Sequence, residues 1–284
     1  MTHDPVALRD VASVVAREGA ELARSMRDGG IAVADTKSSA VDVVTEADRA
    51  VEELVRRRLL EHRPDDAILG EEGDDHPGTS GVRWVVDPID GTVNYLYGLP
   101  DCAVSIAAEV GEEVVAGVVV TIPTGVEYAA ARGHGATRDG VPISVRPSPP
   151  LAERLVLTGF GYLAETRAHQ AESVAALLPV VRDVRRMGSC ALDLCHVADG
   201  SADAYVEEGP ARWDWAAGSL VASEAGAVFA RLPGRLSDHL EPVRSQIDAM
   251  PDWPERSVIA AAPAAGWDEF VAALRTAGFV ADSP

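Results

Sequence analysis

The chain is expected to fold as a layered α+β unit followed by an α/β half, and three observations predict it. Helical periodicity governs the N-terminal segment. Short apolar runs bounded by glycine, proline or acidic residues come next, and strand-like and helix-like segments alternate beyond the proline-rich RPSPP at 146–150. Residues 5–27 set Leu8, Val11, Val15, Leu22 and Met26 at helical spacing and run into Gly29-Gly30, which reads as an amphipathic helix with a C-terminal stop. TEAD, beginning at Thr45, has the form of a capping box. It opens a second helix through Val51, Leu54, Val55 and Leu59 that stops at RPDD. AILGEE, VRWVVDP, AVSIAAEV, VVAGVVVTI and VEYAAA then read as mostly antiparallel strands, and GATRDGVPISV carries the Asp-Gly turn of a hairpin. In WVVDPIDGT the proline has no N–H to give to a ladder, so the strand is expected to end at Asp87. Past position 150 come RLVLTG, a helix around 168–182, VRRMG, SCALDLCHVADG, ADAYVE, DWAAGSLVASEAG, AVFA and SVIAAAP. Two subdomains are expected, 1–150 carrying most of the candidate ligands and 151–284 carrying the rest.

Composition excludes several classes of function. Of the 284 residues, 47% are hydrophobic, the share of an ordinary globular protein, so disorder is not the main state. No run approaches the ~20 apolar residues of a membrane span. Asp4, Asp10 and Glu18 interrupt what would otherwise be a signal peptide's apolar stretch, and a cytoplasmic location is expected. Cys102, Cys190 and Cys195 form no CxxC pair, so neither a disulfide framework nor a zinc ribbon is indicated and they are expected in the core. A formal charge of -20 argues against direct nucleic-acid binding through a basic surface, while a bound divalent cation would still admit an anionic small molecule.

Acidic residues at the ends of predicted elements carry the candidate chemistry. Asp87 and Asp90, three apart, come to one side of a tight turn or a first helical turn. The Gly91 and Thr92 amides follow at a helix start, where an anion is favoured. The stretch offers hard oxygen ligands beside a phosphate cradle, and it is equally compatible with a solvated turn. Glu71 and Glu72 end another apolar strand; Asp214 stands where a helix N-cap is expected; Asp48 is the acidic end of the capping box on Thr45.

Taken together, KSSAVDVVTEAD at 37–48, GEE at 70–72, DPIDGT at 87–92 and WDWAAG at 213–218 resemble, in order and spacing, the inositol monophosphatase family. The resemblance spans nearly the whole chain. TGFGY at 158–162 and VRDVRRMGSCALDLCHVADGSADAYVEEG at 181–209 are most similar to its bacterial inositol-1-monophosphatases. It implies an α-β-α-β-α layered sandwich and Mg2+-dependent, lithium-sensitive hydrolysis of a phosphate monoester, most simply myo-inositol 1-phosphate. It further implies Glu71, Asp87 and the Ile89 carbonyl as ligands of one Mg2+, and Asp87, Asp90 and Asp214 as ligands of a second. Thr92, paired with Asp48 and assisted by Glu71, would orient and deprotonate the attacking water. Gly91 and Thr92 amides would hold the phosphate, and Gly188, Ser189, Cys190 and Glu207 would meet the alcohol half. Lys37 and Asp42 correspond to the surroundings of a third, weaker Mg2+, and a homodimer is expected.

The chain departs mildly from the family at Cys190, where a small alanine is common, and clearly at 231–256, where prolines and charges make a regular strand pair improbable. The readings kept beside the main one are the same chemistry on histidinol phosphate, fructose 1,6-bisphosphate or 3'-phosphoadenosine 5'-phosphate. A transcription-associated interaction protein that retains the fold is a further alternative. His134 reads as a turn residue, and the Arg185-Arg186 pair is open between substrate, dimer contact and solubility.

Overall fold

A computed structural model describes residues 3–28, 33–36, 43–235 and 257–281. Helix α1, Pro5–Asp28, turns Leu8, Ala12, Val15, Ala16 and Ala23 inward. Helix α2, Glu46–His62, is capped by Thr45, whose side chain accepts from the Ala47 and Asp48 amides while the Asp48 carboxylate accepts from the Thr45 amide. This is the capping box that TEAD predicts. The two helices cover one face of a seven-stranded sheet.

That sheet holds β3 (Ala67–Gly70), β4 (Val82–Asp90), β5 (Ala103–Val110), β6 (Glu113–Thr121), β7 (Glu127–Ala131), β8 (Ala136–Arg138) and β9 (Val141–Ile143), in chain order. Only β3 and β4 run parallel. A separate pair joins β1 (Val33–Thr36) to β2 (Val43–Thr45). The predicted hairpin turn falls at Asp139 and Gly140, at φ 51° and 76°.

Strand β4 corrects the expectation that it stops at Asp87. Asp87 pairs with Ser105 and Asp90 with Ala103, so three steps along β4 match two along β5. Pro88, which has no N–H to offer, lies in that bulge. The consequence is geometric. In a regular strand residues three apart face opposite sides of the sheet, and the extra residue of a bulge brings Asp87 and Asp90 back to the same side.

The second half supplies β10 (Leu155–Thr158), α4 (Ala164–Leu177), β11 (Asp183–Arg185), α5 (Cys190–Ala198), β12 (Ala204–Glu208) and α6 (Arg212–Glu224), then β13 (Ala227–Leu232), β14 (Val258–Pro263) and α7 (Trp267–Ala277). Its sheet runs β11-β10-β12-β14-β13, with β10 parallel to β11 and β12 and with β14 antiparallel to β12 and β13. Helix α4 ends earlier than the expected 182 because Pro179 falls in a 3-10 turn over Leu178–Val180. Helix α7 corresponds to no predicted element, although Phe270, Val271 and Leu274 form its buried stripe and Gly278 ends it at φ 87°.

Among the described residues three apolar clusters define the layers. The first joins α1 and α2 to the seven-stranded sheet. Another sets α5 and α6 between the two sheets, and the last packs α4 and α7 on the far face of the five-stranded sheet. The order is therefore α-β-α-β-α, as the resemblance implies. Cys102, Cys190 and Cys195 are free and buried. Among the described residues no helix is long and apolar enough to cross a membrane.

One close approach fixes α6 on the sheet. A Cβ placed on Gly117 of β6 would lie 2.7 Å from the Ala217 carbonyl oxygen and 3.0 Å from its Cα. Both are backbone atoms and cannot swing aside. Gly117→Ala is expected to cost about 1–3 kcal/mol of stability in denaturant unfolding at unchanged m-value. A cost below about 0.5 kcal/mol, the range of a neutral surface change, would show that α6 is free to move.

Candidate active site

Strand β4 delivers two carboxylates to one spot, and α6 brings a third. One oxygen from each of Asp87, Asp90 and Asp214 lies within 4.8 Å of the others. Asp87 is 1% exposed and Asp90 7%. Asp87 accepts from the Ile89 amide at 3.0 Å and hydrogen-bonds Glu71, the residue just past β3. Burial, then Glu71, Asp90 and Asp214, push the Asp87 carboxyl well above the usual range. Burial likewise raises Asp90 to about 7 against the pull of Ser189 and Ala191, with Glu207 and Glu71 adding to the rise. Carboxylates crowded in a low-dielectric spot disfavour their own charge, and a hard divalent cation is the partner that offsets it. The donor set, oxygen throughout, fits such a hard cation.

Helix N-termini hold three of these acids. Asp90 accepts from the Ser189 hydroxyl and the Ala191 amide, both at 2.6 Å, at the start of α5. Asp214 accepts from the Ala211 amide at 2.5 Å. It is therefore the third residue of α6 rather than the expected N-cap, which is Ala211. Asp48 Oδ2 accepts from the Thr45 amide at 2.8 Å and from the Thr45 hydroxyl. Free N–H groups and the helix dipole make each N-terminus a natural seat for an acid.

Asp48 turns its other oxygen, Oδ1, to the Thr92 hydroxyl at 3.1 Å, and that hydroxyl also lies 3.1 Å from the Ile89 carbonyl. A hydroxyl has one hydrogen, so it serves one acceptor at a time. Burial raises the Asp48 carboxyl, the Thr45 hydrogen bonds oppose that rise, and nearby Glu71 adds to it. Helix cap and Thr92 partner are therefore two ends of one carboxylate. Gly91 caps the short helix α3, Thr92–Tyr97, at φ 91°. A Cβ there would meet the Asp101 carbonyl oxygen at 2.7 Å and the Gly188 carbonyl oxygen at 3.1 Å, which leaves glycine as the residue that fits.

On the other side of Asp90 stand Gly188, at φ 106°, then Ser189 as the N-cap of α5, then Cys190, which is buried. Glu207 on β12 receives the Tyr205 hydroxyl on Oε2 at 2.5 Å. Burial raises its carboxyl, while Tyr205 and the charge of Arg186 pull it down. A Cβ on Gly159 would lie 2.0 Å from Glu207 Oε2.

The structure thus brings together Asp48, Glu71, Asp87, Ile89, Asp90, Gly91, Thr92, Gly188, Ser189, Cys190, Glu207 and Asp214 around one region. Lys37, Asp42 and most of the atypical segment, 236–256, lie outside the described residues. His134 is an exposed turn residue, as expected.

Sequence reasoning missed Asn94, whose side-chain amide ties the Asp101 and Met187 carbonyls together at 2.7 Å each. It also missed Tyr205. Tyr205 stands two residues before Glu207 on a strand, and period-2 reasoning places both on one face.

The model of the inositol monophosphatase family matches residues 4–278. Inositol-1-monophosphatase SuhB of Mycobacterium tuberculosis is 46% identical over 244 residues, which are 79% of this chain and 84% of that protein. The Nus factor SuhB of Xylella fastidiosa is 40% identical over 199 residues, 70% of this chain and 72% of its own. The solved structure of Mycobacterium tuberculosis SuhB superposes with a TM-score of 0.81 at 39% identity, covering 99% of this chain and 100% of that one.

Proposed function

The chain belongs to the inositol monophosphatase family, and on that premise we propose that it hydrolyses a phosphate monoester, myo-inositol 1-phosphate first among them, with Mg2+. The observation that carries this reading is the trio of buried Asp87 and Asp90 with half-buried Asp214, beside the Asp48–Thr92 pair. Glu71, Asp87 and the Ile89 carbonyl would hold one ion, and Asp87, Asp90 and Asp214 another, with Lys37 and Asp42 near a third. Bound Mg2+ would supply Lewis-acid polarisation of phosphoryl oxygens, a more acidic water and charge neutralisation at the leaving oxygen.

The rest is work for the protein's own atoms. The Gly91 and Thr92 amides bind phosphate oxygens at the start of α3. Thr92 Oγ1 accepts a proton from the attacking water while passing its own to Asp48 Oδ1, the oxygen that the helix cap leaves for it. Glu207 accepts from hydroxyls of the departing polyol. A phosphocysteine route is disfavoured because burial raises all three thiols, Cys102 to about 12, so the nucleophilic thiolate is scarce.

The test is phosphate release from a panel holding myo-inositol 1-phosphate, fructose 1,6-bisphosphate, histidinol phosphate and 3'-phosphoadenosine 5'-phosphate, with Mg2+ and with chelator. Release from the inositol ester that requires Mg2+ and falls in a Li+ titration is expected. Absence of release from every ester would sink the reading; preference for another ester would move it within the family. The Nus factor names of some relatives favour a second role in binding transcription machinery. Capture of RNA polymerase components by both the wild type and Asp90→Asn would separate that role from catalysis.

A further inference from the structure

We infer that Tyr205 is a positioning residue that sets the alcohol selectivity of the site, by holding Oε2 of Glu207 so that the carboxylate meets the substrate's hydroxyls in one orientation. The inference rests on the proposed phosphatase reading and extends it to a residue that touches no substrate.

Three groups confine that carboxylate. Tyr205 and Glu207 share a face of β12, and the phenol donates to Oε2 at 2.5 Å. Tyr205 is 0% exposed and its backbone is locked between Leu157 of β10 and Ala261 of β14, so its hydroxyl has a fixed origin. Burial pushes the phenol well above its ordinary value, which keeps it a donor. On another side the Gly159 backbone stands so near that an added Cβ would come within 2.0 to 2.5 Å of the three carboxyl atoms. Arg186 supplies the facing positive charge.

The phenol is itself engaged by the Cys190 thiol. Cys190 follows Ser189, the residue whose hydroxyl donates to Asp90. The chain Glu207–Tyr205–Cys190 therefore joins the alcohol side to the helix start that anchors Asp90, and a displaced phenol would disturb the alcohol side first. A carboxylate with one oxygen occupied accepts substrate hydroxyls on what remains, which is how a positioned acid discriminates a polyol from an alcohol lacking those hydroxyls.

The experiment compares kcat/KM for myo-inositol 1-phosphate with that for p-nitrophenyl phosphate, which has no ring hydroxyls, in the Mg2+-loaded wild type and Tyr205→Phe. The ratio is expected to fall about tenfold, chiefly through the KM for the inositol ester, the scale of one misdirected hydrogen bond to a charged group. In a Glu207→Ala background, Tyr205→Phe is expected to change the ratio no further. A purely structural tyrosine would depress both esters alike; an unmoved ratio, or an equal loss without Glu207, overturns the inference. If Tyr205→Phe does not fold, Gly159→Ala displaces the same carboxylate from its other side, and an unmoved ratio there overturns the inference as well. A wild type inactive on both esters overturns the phosphatase reading and this inference together, whereas an active wild type with an unmoved ratio overturns this inference alone.

Discussion

Asp90→Asn is expected to lower kcat by about three orders of magnitude, the scale of several kcal/mol of charge stabilisation lost at a two-ion site. The substitution is nearly isosteric and keeps an oxygen to accept from the Ser189 hydroxyl and the Ala191 amide, so the start of α5 stays tied to β4. What it removes is one negative charge from a crowded cluster that also holds buried Asp87 and half-buried Asp214 and Glu71. Those acids repel one another without a cation, so the metal-free variant is expected to melt no lower than metal-free wild type. In wild type, by contrast, added Mg2+ stabilises by mass action because the ion binds the folded state. Asp90→Asn should lose most of that gain. Activity and the Mg2+-dependent melting shift are thus predicted to fall together while the fold persists. Retention of kcat within about tenfold would remove Asp90 from the proposed site, since a ligand to the ion facing the leaving oxygen is worth more than that.

What the sequence made legible was local. Thr45 and Asp48 are one helical turn apart and their capping box depends on no distant contact, so spacing alone located it. Asp214 stands three residues further into its helix than the N-cap position its sequence suggests. An acid at the N-cap and one at the third helical position look alike in sequence, and only the Ala211 hydrogen bond tells where α6 begins. The path of β4 departs from expectation for a different reason. Pro88 does forbid one ladder bond, but whether a strand ends or bulges depends on its partner, and β5 resumes pairing at Ala103. The site's less visible members follow the same logic. Asn94 binds the carbonyls of Asp101 and Met187, and Met187 is 93 positions away, a contact that local periodicity cannot foresee. The family's metal motifs were readable because each carries several acids at fixed spacing, whereas Gly159 reveals its purpose only when the Glu207 carboxylate is seen against it.

Thr92→Val is the sharper probe of how the proton leaves the attacking water, and kcat is expected to fall about 10²- to 10⁴-fold, the range of a lost general acid–base relay. Valine matches threonine in shape and in β-branching, so the backbone of α3 and its amides should stay where they are. The KM is therefore expected to move only a few-fold, because phosphate binding is assigned to Gly91 and Thr92 amides that the substitution leaves in place. The loss should fall on Oγ1, whose one hydrogen has Asp48 Oδ1 and the Ile89 carbonyl as alternative acceptors, each at 3.1 Å. Without that hydroxyl Asp48 keeps the Thr45 bonds on Oδ2 but has no donor from position 92 on Oδ1, a desolvation cost of about 1–3 kcal/mol that melting would register. Thr92→Ser restores the hydroxyl without the methyl and should recover most of the rate, which a packing explanation would not predict. If Thr92→Val keeps its kcat within about threefold while Asp90→Asn is dead, the ions alone suffice to activate the water, and Asp48 is left with its capping duty on α2 beside Thr45.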